Sequence, residues 1–338
     1  MKKRTLKKLS ALAAAAALSL ALAACAGGAK PSGGDAAQTG GDRVLKAAVI
    51  KQLDHASLDE IADAVAARFD EMDADGLTVE YTVTSGQNDQ TVLKQLCDQA
   101  IADKVDVIIP IATTAAQVAA VAAEGTGVRV VYAAVSDPET ARLTGMDYVT
   151  GTSDALNTRF IIDMMLAQDP DLKSVGLLYS LSEPNSAAPI AEAKAYLEEK
   201  GIGTVEQTAN TNDEVVAAAT ALIAAGVDAV FTPTDNVIMA AELAIYEDLA
   251  NAGIPHYAGA DSFVRNGAFA TCGVNYTDLG RRTADLARQA AAGEALEDCY
   301  LMDGGIITVN TETAAVLGVD PSVFSDMGQV AEVTTGKD

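Results

Sequence analysis

Short apolar runs alternate with amphipathic stretches from residue 44 to residue 260, and that alternation admits few folds. Runs at 44–50, 77–84, 106–111 and 128–133 read as strands. Between the first two, Leu58, Ile61, Ala62, Val65, Phe69 and Met72 recur at helical spacing, and helices are expected again over 90–103 and 114–123. Strand, helix, strand, helix calls for a parallel sheet covered on both faces, because parallel neighbours need a crossover and the helix supplies it. A second cycle follows, with helices expected over 155–168, 186–200, 212–225 and 237–252 and strands over 174–179, 203–208, 229–232 and 255–260.

The second cycle repeats the first. Val105-Asp106-Val107-Ile108-Ile109 aligns without gaps on Val227-Asp228-Ala229-Val230-Phe231 at an offset of 122, which also sets Thr113-Thr114 on Asp235-Asn236. A small further shift sets Ala134-Val135-Ser136 on Ala260-Asp261-Ser262. Packing favours Val, Ile and Ala in any such unit, but it does not account for polar residues at matching strand ends. Two α/β lobes of similar build are therefore expected.

Ahead of them, Lys2, Lys3, Arg4, Lys7 and Lys8 precede an apolar run over 9–24, the pattern of an export signal, shorter than the ~20 apolar residues of a spanning helix. Leu22-Ala23-Ala24-Cys25 resembles the lipobox of bacterial lipoproteins, so 1–24 reads as a signal peptide and Cys25 as the lipidated residue that ties the protein to the cell membrane. Residues 25–43, with glycine pairs at 27–28, 33–34 and 40–41, read as a flexible tether. The formal charge is −24, and without the five basic leader residues 18 Lys and Arg face 47 Asp and Glu. Such a surface repels nucleic acid and excludes it as a partner.

In open parallel sheets ligands bind beyond the carboxyl ends of the strands, where helix starts offer unpaired N–H groups. The polar residues that follow the strands are Gln52, Asp54 and His55, then Gln87, then Thr113 and Thr114, then Ser136 and Asp137 in the first half. In the second they are Asn185 and Ser186, then Thr234, Asp235 and Asn236, then Asp261 and Ser262. Ser, Thr, Asp and Asn are also the favoured helix caps, so each has a structural use beside the ligand-binding one. With His55 and His256 as the only histidines and no nucleophile elbow, zinc motif or phosphate loop, no catalytic, metal or cofactor site is expected.

At these residues the chain resembles the ABC-transporter substrate-binding proteins that include tryptophan- and tyrosine-binding lipoproteins, within the type 1 periplasmic-binding-protein fold. The matching segments are Asp54-His55-Ala56-Ser57, Ile111-Ala112-Thr113-Thr114, Ala134-Val135-Ser136-Asp137-Pro138, Gly151-Thr152-Ser153-Asp154, Glu183-Pro184-Asn185-Ser186, Pro233-Thr234-Asp235-Asn236 and Gly273-Val274-Asn275-Tyr276. The resemblance implies two Rossmann-like lobes with parallel sheets and a three-crossing hinge near 149–152, 263–272 and 298–301. The lobes would be 44–149 plus 273–298 and 150–272 plus 299–310, with 311–338 as a tail. It implies a monomeric binder, not an enzyme, that takes a small molecule and meets an ABC permease, or else a sensor that presents its closed form to a membrane receptor.

For an amino-acid ligand, Thr113, Thr114 and Ser136 suit the carboxylate, and Asp235 or Asp261 suits the ammonium from the facing lobe. A sugar is the rival ligand; the chain has no Trp, and Phe160, Tyr179, Phe263 and Tyr276 are the rings placed to reach the cleft. Cys97 reads as a buried small hydrophobe. Cys272 and Cys299 fall on two of the implied crossings, where they are either a disulfide that staples the hinge or two buried thiols.

Overall fold

The computed structural model describes residues 44–336. The leader, the lipidated Cys25 and the tether expected from the sequence lie outside the described residues. A first sheet grows from β1 (Leu45–Lys51), β2 (Val79–Ser85), β3 (Val107–Ile111), β4 (Arg129–Tyr132) and β5 (Val149–Ser153), all parallel. Helices α1 (Ala56–Ala74), α2 (Gln90–Ala102) and α3 (Thr113–Ala123) connect its early strands.

A second sheet follows from β6 (Ser174–Tyr179), β7 (Gly203–Thr208), β8 (Ala229–Thr232), β9 (His256–Ala258) and β10 (Ala270–Gly273). Its helices are α4 (Thr158–Gln168), α5 (Pro184–Glu199), α6 (Asn212–Ala225), α7 (Asn236–Asn251) and the short α8 (Asp261–Arg265). The chain returns to the first lobe as α9 (Tyr276–Ala291), and β11 (Tyr300–Leu301) joins β5 at the sheet edge. It ends in the second lobe with β12 (Ile306–Asn310), α10 (Thr311–Leu317), a 3₁₀ turn over Pro321–Asp326 and β13 (Val330–Val333).

The strand orders are β2-β1-β3-β4-β5-β11 and β7-β6-β8-β9-β10-β12-β13, so the first five strands of each sheet follow one plan. Chemistry repeats with topology. Asp106 ahead of β3 accepts from the Lys46 N–H at 2.9 Å, and Asp228 ahead of β8 accepts from the N–H groups of Lys173 and Ser174 at 3.0 and 2.8 Å. These two aspartates are partners at the offset of 122, and each ties the start of a central strand to its neighbour.

The three crossings fall at 154–157, 274–275 and 302–305, in each case a few residues beyond the expected place. Pairing explains the delay: β5 stays in the first sheet through Ser153 because β4 and β11 flank it, and β10 stays in the second through Gly273 because β9 and β12 flank it. Helix α4 accordingly begins at Thr158, behind Asn157, whose Oδ1 accepts from the Phe160 N–H, rather than at 155. Residues 311–336 are packed: β12 runs antiparallel to β10, and β13 extends the sheet beyond it.

The candidate disulfide is corrected. Cys272 and Cys299 are free thiols, as is Cys97. Cys272 lies in β10 within the core of the second lobe, whereas Cys299 lies just ahead of β11 against the first lobe's core beside Tyr132. The crossings that follow them run side by side, but the two cysteines themselves pack into the cores of different lobes. Cys97 is buried in α2, as expected of a small hydrophobe.

Two packing details bear on stability. In the second lobe His256 joins the fully buried Glu242 (Nδ1 to Oε1, 3.0 Å) and Thr232 (Nε2 to Oγ1, 2.9 Å). In the first, α9 lies so close to α1 that a Cβ on Gly280 would come within 2.5 Å of the Ile61 carbonyl oxygen and 2.7 Å of the Ala64 Cβ. Glycine to alanine in an exposed helix ordinarily gains up to about 1 kcal/mol. Here overpacking reverses the sign, and Gly280→Ala is expected to lower stability by about 1–3 kcal/mol in urea unfolding. Glu242→Ala leaves His256 with an unmatched buried nitrogen and is expected to cost about 3 kcal/mol or more by the same measurement.

Candidate functional site

The carboxyl ends of β1, β3, β4, β6 and β8 meet across a cleft, and most helices that start there are capped by their own side chains. His55 caps α1: its Nδ1 accepts from the Ser57 N–H at 3.2 Å, so the ring proton sits on Nε2, which donates to Asn236 Oδ1 at 3.0 Å. Burial pushes the imidazole down to about 4, and the ring is neutral above that. Asp235 caps α7, with Oδ1 accepting from the N–H groups of Val237 and Ile238 at 3.1 Å each. Its Oδ2 accepts from the Ser180 N–H at 2.7 Å and the Ser186 hydroxyl at 2.6 Å.

Helices α3, α5 and α8 have no such cap, and α3 is the one whose start lines the cavity with a strained N-cap. Ala112 stands at its N-cap with φ of 80°, a left-handed conformation costly for alanine, and no side chain caps the helix. Thr113, the first helical residue, keeps a buried hydroxyl with no partner. The first N–H groups of a helix need an acceptor, and here the helix supplies none.

The lobes touch directly. Gln52 Nε2 donates to Glu183 Oε1 at 2.6 Å, the Ser136 and Thr234 hydroxyls lie 3.1 Å apart, and the Ser57 and Ser262 hydroxyls are in contact. Behind these contacts lies a small cavity of about 20 Å³. Its polar wall includes Thr113, Ser136, Asp154 and Tyr276 of the first lobe and Asn185, Thr234 and Asn236 of the second. Leu58, Met239 and Phe263 give it an apolar side.

Asp154 begins the first crossing and is almost fully buried. It accepts from the Ser136 hydroxyl at 2.9 Å and the Tyr276 hydroxyl at 3.0 Å, which uses two of the roughly four lone-pair sites of a carboxylate. Burial raises its pKa, with the two hydroxyls opposing. On the facing wall Asn185 donates from Nδ2 to the Thr234 carbonyl at 2.7 Å, so its amide orientation is set. Its Oδ1 is left buried without a partner.

Of the residues singled out in the sequence, the cavity brings together His55, Thr113, Ser136, Asn185, Thr234, Asp235 and Asn236. Gln52, Ser186 and Ser262 hold neighbours of the cavity without lining it. Thr114 is buried in α3 off the cavity wall. Asp54 pairs with Lys51 at 2.6 Å, Gln87 is exposed on a turn with φ of 52°, and Asp137 accepts from Thr140 at 2.6 and 2.9 Å. Asp261 pairs with Arg265 and is not a wall residue. Asp235 is saturated by four donors, and Asp261 pairs through one oxygen with Arg265 while its Oδ1 is buried without a partner off the cavity wall.

Asp154 holds the open carboxylate instead. It also follows a strand, but its segment read as a crossing rather than as β5 and was passed over. Phe263 and Tyr276 reach the cavity as expected, whereas Phe160 and Tyr179 pack against the second lobe's core. Among the described residues, no group of three or more His, Cys, Asp and Glu is placed to hold a metal, and no helix is long and apolar enough to cross a membrane.

The family described as ABC transporter substrate binding protein matches residues 46–322. A tyrosine-binding protein of Clostridioides difficile strain R20291 is 30% identical over 278 residues, 79% of each chain. A crystal structure of an ABC domain in complex with L-Trp from Streptococcus pneumonia is 28% identical with a TM-score of 0.78, covering 86% of this chain and 100% of that one. The ligand-free, open structure of a substrate-binding protein with adhesive properties from Clostridium difficile has similar identity, 26%, and the same coverage, but a TM-score of 0.64. With lobes that touch across the cleft, this chain superposes better on the complex than on the open form. The match over most of its length makes it a member of the ABC transporter substrate-binding protein family, built to bind a small ligand.

Proposed function

We propose that this protein is an extracytoplasmic lipoprotein that captures an amino acid with an aromatic side chain between its lobes and delivers it unchanged to an ABC permease. The observation that carries the ligand class is the meeting, in one cavity, of an uncapped helix start and a carboxylate with spare lone pairs. A ligand carboxylate suits the N–H groups of α3 and the unpartnered Thr113 hydroxyl, and a ligand ammonium suits Asp154. Asn185 Oδ1 offers a further acceptor from the facing lobe. A ligand held from both sides favours closure, because it contacts both lobes only when they are shut.

The apolar side formed by Leu58, Met239 and Phe263 suits a ring, and with about 20 Å³ of room between the shut lobes these walls must move apart to seat one. Similarity to a tyrosine-binding protein and to an L-Trp complex supports the same choice. The basic leader, the apolar run and Cys25 support export and lipid anchoring. Substrate-binding proteins of ABC transporters are extracytoplasmic, which agrees with that reading.

A thermal-shift screen of the chain from Cys25 onward should show a raised Tm with L-tryptophan, L-tyrosine or L-phenylalanine, since a ligand that binds only the folded state stabilises it by mass action. A shift from a pentose with none from these three would sink the ligand assignment. With the responding ligand, calorimetry on Asp154→Asn should show affinity lower by about 30-fold or more, and Thr113→Val by about fivefold. Unchanged affinity in the first variant would remove Asp154 as the ammonium partner. For the anchor, Cys25→Ser in the full chain should move the protein from the membrane fraction to the soluble extracytoplasmic fraction.

A further inference from the structure

Glu183 stands at the N-cap of α5 yet makes no cap bond; its side chain turns into the interface between the lobes. One oxygen accepts from Gln52 Nε2 of the first lobe at 2.6 Å, and the other from Asn236 Nδ2 of its own lobe at 2.6 Å. Asn236 in turn accepts from His55 of the first lobe, so the run Gln52, Glu183, Asn236, His55 crosses the cleft twice. Each direction in it is set, because the Ser57 N–H occupies His55 Nδ1 and leaves only Nε2 to donate. Glu183 is 2% exposed in this closed arrangement, and separating the lobes removes Gln52 and His55 from that cover.

We propose that Glu183 is a proton-operated latch: it takes a proton from solvent as the lobes shut and returns it as they part, so acidification favours the closed form. The gain rests on the two-lobed motion of the fold and not on the identity of the ligand. A buried carboxylate with two donors keeps its charge only if those donors outweigh desolvation. Here burial, seconded by the charge of Asp235, wins and pushes Glu183 up to about 8, while in the open form it returns toward the ordinary glutamate range. The group whose pKa is raised on closing binds more protons closed than open between those limits, so the closed form gains as pH falls through about 8 and gains no more below the open-state value. The acceptor for the new proton is at hand. Gln52 Oε1 is buried without a partner, and turning that amide over presents it to a Glu183 hydroxyl while the exposed Asn88 turns to match.

The other charged groups facing this point do not supply the effect. Asp235 is also raised by burial, but its four donors all belong to its own lobe and stay with it when the lobes part. His55 titrates near 4, below the window. Asp54 is held low by Lys51, and Asp89 by the backbone N–H groups of α2.

The test needs no ligand, so failure of the amino-acid assignment leaves it intact. The protein, freed of co-purified ligand by unfolding and refolding, carries spectroscopic labels at the exposed Val121 of the first lobe and Leu243 of the second. The interlobe distance is read from pH 8.5 to 5.5. The closed-to-open ratio of the parent should rise by up to about tenfold per pH unit, whereas Glu183→Gln should stay closed throughout. Gln52→Ala, which leaves the second lobe untouched and removes a donor to the charged carboxylate, should move the response to higher pH even if Glu183→Gln folds poorly, and an unmoved response would count against the latch. A parent distribution that ignores pH, or a Glu183→Gln protein that follows pH as the parent does, would overturn the latch.

Discussion

In a parallel sheet every strand ends at the same edge, and every following helix begins there with N–H groups that its own backbone does not satisfy. This chain sets two such edges face to face by crossing three times between sheets of the same strand order. The polar demand of about ten helix starts and loops therefore converges on one cleft. Most of it is met inside each lobe, by His55, Asp89, Thr211 and Asp235 acting as caps. At α3 it is not met, and the strained Ala112 keeps that helix start turned toward the cavity. The proposed carboxylate site thus uses a structural demand that most of the other helix starts meet with their own side chains.

Closure is a balance of small terms. A neutral hydrogen bond contributes about 0.5–1.5 kcal/mol net, so the handful of direct contacts across the cleft offset only a few kcal/mol of lost solvation and freedom. A ligand shifts such an equilibrium by the difference in its affinity for the two forms and by no more. Contacts made without ligand, such as Ser136 with Thr234, raise the closed population in its absence and thereby reduce what a ligand must add. The better superposition on a ligand complex than on an open relative places this arrangement at the shut end of that equilibrium.

The repeat was legible in the sequence because strand cores and strand ends obey different rules. Val and Ile at 105–109 and 227–231 report burial, but Asp106 and Asp228 report a backbone pairing that only a shared topology explains. The crossings were harder to place. Val149–Ser153 carries three hydroxyl residues and a glycine, and it pairs on its outer side with β11, which arrives from nearly 150 residues later. Misreading that strand hid Asp154. The setting of Asp235 was equally out of reach, since two of the four donors that saturate it come from a neighbouring loop and helix, 55 and 49 residues away in sequence. Cys272 and Cys299 show the same limit: the resemblance implied two neighbouring crossings and left a disulfide and two thiols open, and the cores of the two lobes keep the thiols apart.

Three buried carboxylates meet near this cleft in a strongly acidic chain, and their hydrogen bonds separate their tasks. Asp235 has four donors, all from one lobe, so it is saturated whether the lobes are open or shut and serves the fold. Asp154 has two donors, Ser136 and Tyr276, both on the first-lobe side, and faces the cavity with capacity to spare; its charge awaits a partner that the protein does not contain. Glu183 has donors from both lobes, so its environment is complete only when the lobes meet. Burial raises all three, and burial alone therefore cannot tell them apart. The origin of the donors does: donors from one lobe make a carboxylate a fixture or a receptor, and donors from two make it a reporter of the distance between them.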